Sequence, residues 1–240
     1  MSARTPYGLS IIDNCLTCRF REDRLFCNLS PSAVQKLNDI KSTATYPKSA
    51  VLFMEGQLPR GVFVLCNGKV KLSMSSSDGK TIILKIAQPG DVLGLSATVS
   101  NRPYEVTAEI MEPTQANFIP REAFLHFLRD HGEAALRVAE QLSQNYHAAY
   151  EEIRTLGLSS SASEKFAKLL LEWSADAADS THPLQVKLTL THEEIAGMIG
   201  TSRETVTRLF ADFKKKQWLQ LKGSTLVIRN KPALEKIVHS

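Results

Sequence analysis

The 240-residue sequence has no apolar run approaching the ~18 residues of a membrane span, and residues 1–10 lack the apolar centre of a secretory signal. A membrane or secreted protein is therefore not expected, and a cytoplasmic one is. In that reducing compartment the four cysteines are expected to be reduced, metal-bound or redox-active rather than joined in static disulfides. Catalytic signatures are also missing: there is no P-loop, no Ser-His-Asp arrangement and no paired-carboxylate motif, so no enzyme is expected. His126, His131, His147, His182, His192 and His239 are scattered without H-x-x-x-H spacing and read as surface or capping groups. His147, on a long helix, is the one placed to hold a metal or haem. Strong charge is lacking too. A net charge of +4 is modest for a nucleic-acid binder, so local Lys and Arg clusters matter more than the total.

What is present is concentrated in residues 189–226. Thr191 with Glu194 three residues later forms a capping box, and Ile195, Met198 and Ile199 follow on one helical stripe that should stop at Gly200. Ser202 can cap a second helix, whose Val206, Leu209, Phe210 and Phe213 recur at spacings that bury one face. Ser202, Arg203, Glu204, Thr207 and Arg208 remain outside. Arg can donate two hydrogen bonds to guanine N7 and O6, and Glu can accept from cytosine N4, so this face suits a DNA major groove. An ordinary solvated helix pair would show similar charges. The tight turn, the caps and the clustered Arg-Glu-x-x-x-Arg together favour a helix-turn-helix. Lys214, Lys215 and Lys216 come next. Two apolar runs broken at Lys222-Gly223-Ser224 then predict a β-hairpin wing, with Lys222 and Ser224 at a tip near phosphates.

The stretches S-R-E-T-V-T-R-L and K-G-S-T-L-V-I resemble the DNA-binding domain of the Crp/Fnr family of bacterial transcription regulators. The resemblance implies that Arg203, Glu204 and Arg208 read one half-site. Their Arg-Glu-x-x-x-Arg form is similar to the cyclic-AMP receptor branch and implies a palindromic TGTGA-like site bound by a dimer. The oxygen-sensing branch typically lacks the first Arg.

Near the N-terminus stand Cys15-Leu-Thr-Cys18 and Cys27. Thiolates suit soft metals, and a C-x2-C pair lets two sulfurs reach one ion. Three readings stay open: an iron–sulfur cluster or zinc with a non-Cys fourth ligand, a reversible thiol switch, and structural packing. In oxygen-sensing relatives a similar trio is completed by a fourth Cys, and the matching position here is Asn117. Cys66 falls in an apolar run and reads as a small buried thiol.

From Ser30 a short helical pattern leads into β-branched segments such as residues 62–65, 69–73 and 81–84, with turns at Asn67-Gly68 and Asp78-Gly79. They predict an antiparallel β-roll or jelly roll. The spacing of G-x-V-x-x-L-C-N-G-K-V-K-L and of P-G-D-V-L-G is similar to the cyclic-nucleotide-binding-like sensor domain of the same family. Binding a cyclic phosphate calls for a Gly-Glu pair on the ribose and an Arg-Ser or Arg-Thr pair on the phosphate. Here Gly94 precedes Leu95, and Tyr104 and Glu105 occupy the second pair of positions. Cyclic AMP is therefore not expected, and Gly94, Leu95, Ser96, Arg102 and Tyr104 are the candidates for a pocket that takes another small molecule.

After Gly132 a seam of Ala135, Val138, Leu142, Tyr146, Ala149, Ile153 and Leu156 predicts one long helix that wants a partner. In the family the corresponding helix forms a homodimer interface. The small polar run 157–163 reads as a hinge. The expected protein is thus an α+β chain: a Cys-containing segment (1–30), a β-roll sensor (31–131), a dimerisation helix (132–157) and a winged helix-turn-helix (158–240). Its expected partners are double-stranded DNA, RNA polymerase, a second copy of itself and a small-molecule or redox effector. The alternatives are a thiol or metal redox protein whose basic domain docks a partner, and a regulator responsive to cyclic nucleotides through Arg102.

Overall fold

The computed structural model describes residues 7–76, 81–158, 161–175, 185–188 and 190–238. The Asp78-Gly79 turn, His182, His239 and the centre of the expected hinge lie outside the described residues. The chain divides into two compact units, Met1–Ala148 and Ala149–Ser240.

In the first unit a series of single turns carries the N-terminal cysteines into α1 (Pro31–Ile40). Proline suits the first turn of α1, where its missing N–H costs nothing, and Ser30 caps it by accepting from the Ala33 N–H. Strands β1 (Ser42–Tyr46), β2 (Val51–Phe53), β3 (Gly61–Asn67), β4 (Val70–Ser75), β5 (Thr81–Ala87) and β6 (Val92–Leu93) follow. Then come α2 (Leu95–Ser100), β7 (Thr107–Ile110), β8 (Thr114–Pro120), α3 (Arg121–Asp130) and α4 (Gly132–Leu158). The strands form two four-stranded antiparallel sheets, ordered β1-β8-β3-β6 and β2-β7-β4-β5. This is the β-roll that the sequence predicted.

Strand β3 is the centre of the roll and is buried on both faces. Its alternation divides the core. Phe63 and Leu65 face the interior between the sheets with Phe53, Leu93 and Tyr104, while Val62 and Val64 meet α1, α3, α4 and the cysteine segment. Helix α4 is fixed to this unit by Ala134, Val138 and Gln141, which are buried. The Gln141 amide donates to the Val92 carbonyl at 3.0 Å and accepts from the Val92 N–H at 3.3 Å, acting like one more strand on the edge of β6. Beyond Leu142 the predicted seam emerges from the core, and Tyr146 and Ala149 are exposed. The side chains of Ile153 and Leu156 lie outside the description.

The second unit contains α5 (Ala162–Ala175), β9 (Gln185–Lys187), α6 (His192–Ile199), α7 (Arg203–Lys215), β10 (Leu219–Lys222), β11 (Thr225–Ile228) and α8 (Lys231–Val238). Strand β11 pairs antiparallel with β10 and β9. Phe166, Leu170, Ile195, Val206, Phe213, Leu226 and Leu234 are among the side chains closing one apolar core. Among the described residues no helix is long and apolar enough to cross a membrane.

Candidate nucleic-acid interface and thiol site

The geometry of the second unit follows from its caps. Thr191 accepts from the Glu194 N–H at 3.2 Å, and Glu194 accepts from the Thr191 N–H at 2.8 Å, completing the capping box of α6. Gly200 ends α6 with φ of +63°, a left-handed conformation in which a side chain would crowd the backbone. Ser202 caps α7 through the Thr205 N–H at 3.2 Å. The two helices are therefore held by a tight turn.

Val206, Phe210 and Phe213 turn into the core, and Ser202, Arg203, Glu204, Thr207 and Arg208 stand exposed, as their spacing predicted. The Glu204 carboxyl is held below its usual range, first by its own backbone N–H and then by the Ser202 hydroxyl. It is thus an ionised acceptor at neutral pH. The Arg208 guanidinium donates to the Thr205 hydroxyl at 3.2 Å, which holds the long side chain against its own helix.

His192 supplies a contact that sequence spacing did not reveal. Its ring stacks on Phe210 with centroids 4.8 Å apart, and its Nδ1 lies 2.9 Å from the Thr207 hydroxyl. That hydroxyl donates to the Arg203 carbonyl at 3.0 Å, so it accepts from a His192 Nδ1–H. Thr207 thereby ties α6 to the exposed face of α7. The wing is a two-residue hairpin with Lys222 paired to Thr225, and Lys222, Gly223 and Ser224 are all exposed. Lys214 and Lys215 are exposed as well. Lys216 instead pairs with Asp212 at 2.8 Å and lies 4.7 Å over the Trp218 ring.

In the first unit, Cys15, Cys18, Cys27 and Cys66 line one small cavity of about 20 Å³, together with Arg21, Arg24, Lys41 and Asn117. The buried Cys66 thus belongs beside the trio. Alternation along β3 carried the signal, since Cys66 has the parity of Val62 and Val64, and Asn117 the parity of Ile119 on β8. A register shift between Leu65 and Asn67 marks a bulge at Cys66, a feature that re-aims a side chain. The Asn117 amide donates to the Cys66 sulfur at 3.2 Å and toward the Cys15 sulfur at 3.9 Å. Burial pushes the Cys27 and Cys66 thiols up to about 12, with neighbouring thiols adding to the effect, and burial also raises Cys15. Among the described residues no group of three or more His, Cys, Asp or Glu is already arranged to hold a metal ion. His147 is exposed on α4 beside Tyr146.

The expected small-molecule residues lie elsewhere in the roll. Tyr104 is only 4% exposed and fills the interior, stacked on Phe53 with centroids 4.0 Å apart and donating to the Gly61 carbonyl at 2.8 Å. Gly94 is required here, because a Cβ would lie 2.7 Å from the Tyr104 ring. Leu95 is buried, Arg102 is exposed, and Ser96 donates to Glu105 at 2.7 Å.

Comparison with known proteins places these units among described domains. Residues 43–131 match the cyclic nucleotide-binding domain, and residues 164–237 match the Crp-like helix-turn-helix domain. The chain is 26% identical over 211 residues to the CRP-like cAMP-activated global transcriptional regulator of Mycobacterium tuberculosis, covering 88% of this chain and 94% of the relative. It is 22% identical over 204 residues to the anaerobic regulatory protein of Bacillus subtilis, covering 85% and 86%. The structure of FixK2 from Bradyrhizobium japonicum is similar in fold, with a TM-score of 0.73 and 23% identity over 82% of this chain and 97% of that one.

Proposed function

Because this chain belongs to the Crp/Fnr family of transcription regulators, with a cyclic nucleotide-binding domain and a Crp-like helix-turn-helix, we propose that it reads a palindromic TGTGA-like site as a homodimer. The observation that carries this reading is the exposed face of α7, where an ionised Glu204 stands between Arg203 and Arg208. Arg203 and Arg208 would donate to guanine and Glu204 would accept from cytosine. Lys215, Lys222 and Ser224 would meet phosphates and fix the register without specifying sequence. Thr207, already engaged by His192 and by its own helix, positions the face rather than reading bases.

Two half-sites one helical turn apart require two recognition helices, and the exposed apolar residues Leu136, Tyr146 and Tyr150 of α4 suit a second copy. The dimer works with RNA polymerase, as the family implies. Its signal enters through the first unit. The M. tuberculosis relative is described as cAMP-activated. Here Tyr104 fills the roll, Arg102 faces outward and Leu95 replaces the ribose-binding carboxylate, which supports an effector other than cyclic AMP. An iron–sulfur cluster or zinc on Cys15, Cys18 and Cys27 would be one form of that signal and a reversible thiol switch another, although among the described residues no group is arranged to hold a metal ion.

The route to the output is also built in. Strand β3 carries Cys66 and pairs with β6, and Gln141 of α4 clamps Val92 of β6. A change at the cysteine cavity would alter the seat of α4, and with it the spacing of two recognition helices. Mass photometry of the full-length chain with a palindromic TGTGA duplex tests the reading. Two chains per duplex, with at least about tenfold preference over a scrambled duplex, are expected. One chain per duplex, or no preference, overturns it in favour of a docking domain.

A further inference from the structure

We propose that the first unit binds a small organic anion in an open cavity between its N-terminal segment and β3, with Arg19, Arg24, Asn14 and Asn67 receiving the oxyanion. This deepens the reading of the first unit as a sensor and rests on that reading only for its regulatory meaning.

The cavity measures about 820 Å³, within the size range of small-molecule pockets, and neither Gly94 nor Tyr104 is among its described lining residues. Its wall presents donors. Arg19 and Arg24 both sit over the Phe20 ring, 4.5 and 4.9 Å from its centroid. The ring attracts both cations but offers no acceptor oxygen, and among the described residues neither guanidinium forms an ion pair or a hydrogen bond. Asn14 Oδ1 accepts from the Leu16 N–H at 2.9 Å, and Asn67 Oδ1 accepts from the Gly68 N–H at 2.8 Å. Each amide therefore has its NH₂ left for a ligand.

Asp13 is the single carboxylate among the described lining residues, against two guanidinium groups, so positive charge prevails. Thiolates do not offset it. Cys66 also lines the cavity, and burial holds its thiol, like those of Cys15 and Cys27, neutral at pH 7. Ile11, Ile12 and Pro89 add apolar surface. The matching ligand is an oxyanion joined to an apolar body.

Arg24 connects this cavity to the rest of the roll. Its stem rests on Gly90, where a Cβ would lie 3.0 Å from Arg24 Cγ. The Gly90 N–H donates to the Leu65 carbonyl at 2.8 Å, and the Leu65 N–H donates to the Asp91 carbonyl at 2.9 Å. Val92, the next residue, is the one that Gln141 of α4 clamps. An anion that draws on Arg24 would thus act on the turn leading into β6.

The test uses the full chain with its cysteines reduced and anilinonaphthalene sulfonate as the probe, an anion whose fluorescence rises in an apolar site. One probe bound in the first unit is expected, with hydrogen exchange slowed at residues 11–20 and 88–91. Neutral anilinonaphthalene, the same body without the sulfonate, should bind at least about tenfold more weakly. Arg24→Gln shortens the side chain beyond the stem that rests on Gly90, and should weaken the probe about tenfold while far-UV circular dichroism is kept. Arg19→Gln should do the same.

The site is refuted if the probe does not bind saturably, if the neutral body binds as tightly, or if both Gln variants bind like the wild type. It is refuted equally if exchange in the wild type slows elsewhere and not at the cavity wall, a result that needs no variant to fold. Duplex binding by the same preparations separates the two readings. A chain that prefers the palindromic duplex but does not take the probe refutes only the anion site, and a chain that takes the probe without that preference refutes only the regulator.

Discussion

Replacing Gln141 by Leu removes an amide that serves as a strand for β6. Gln141 is 4% exposed and Val92 3% exposed, so in the variant the Val92 N–H and carbonyl lose their partners with no water to replace them. Each of the two orphaned groups costs about 1–3 kcal/mol, and the added apolar burial returns about 1 kcal/mol, so a net loss of about 1–5 kcal/mol is expected. For a unit of this size the melting temperature falls by a few degrees for each kcal/mol lost. Trp173 and Trp218 both lie in the second unit, so tryptophan fluorescence reports that unit alone. Urea unfolding should therefore show an early transition by circular dichroism while the fluorescence midpoint stays in place. Hydrogen exchange at the Val92 amide should accelerate in parallel. A loss below about 1 kcal/mol with Val92 still protected would refute the clamp, and with it the proposed route from β3 to α4.

Three further outcomes follow from the local geometry. Thr191→Ala removes the capping box of α6 and should lower the stability of the second unit by about 1 kcal/mol, read in the fluorescence-monitored transition. His192→Ala frees Thr207 and uncovers Phe210, so duplex affinity should fall about threefold to tenfold; an unchanged affinity would deny His192 its positioning role. Glu133 accepts from the Ser30 hydroxyl and N–H, which holds its carboxyl below its ordinary value of 4.5. Its contribution is therefore present above about pH 4.5 and is lost as pH falls through the lowered value, so Glu133→Gln should flatten the acid limb of the stability profile.

The second unit was largely legible because its determinants are local. Thr191 and Glu194, Gly200, and Ser202 lie within a few residues of the elements they set, and the wing follows from the break at Lys222-Gly223-Ser224. Helix α8 carries Pro232 in its first turn, where the missing N–H costs nothing. The roll was legible as alternating strands, but its interior was not. Tyr104, expected to line a pocket, fills the core because it stacks on Phe53, a partner distant in sequence. Helix α2 escaped notice because it has six residues and no side-chain cap. The place of Cys66 beside the trio required following strand parity and a bulge, and the bulge has no sequence signature here. The His192–Thr207 contact depends on the angle between two helices, which the turn fixes only in three dimensions.

The central claim is that the exposed face of α7 reads bases, and binding of Arg203→Ala and Lys215→Ala to a palindromic TGTGA duplex and its single-base-pair variants tests it most directly. Arg203→Ala should lose about 1–3 kcal/mol on the intact site, about 5- to 150-fold, and no more when its own base pair is changed, while Lys215→Ala weakens every duplex alike. Equal loss by Arg203→Ala on specific and random duplexes would contradict the account.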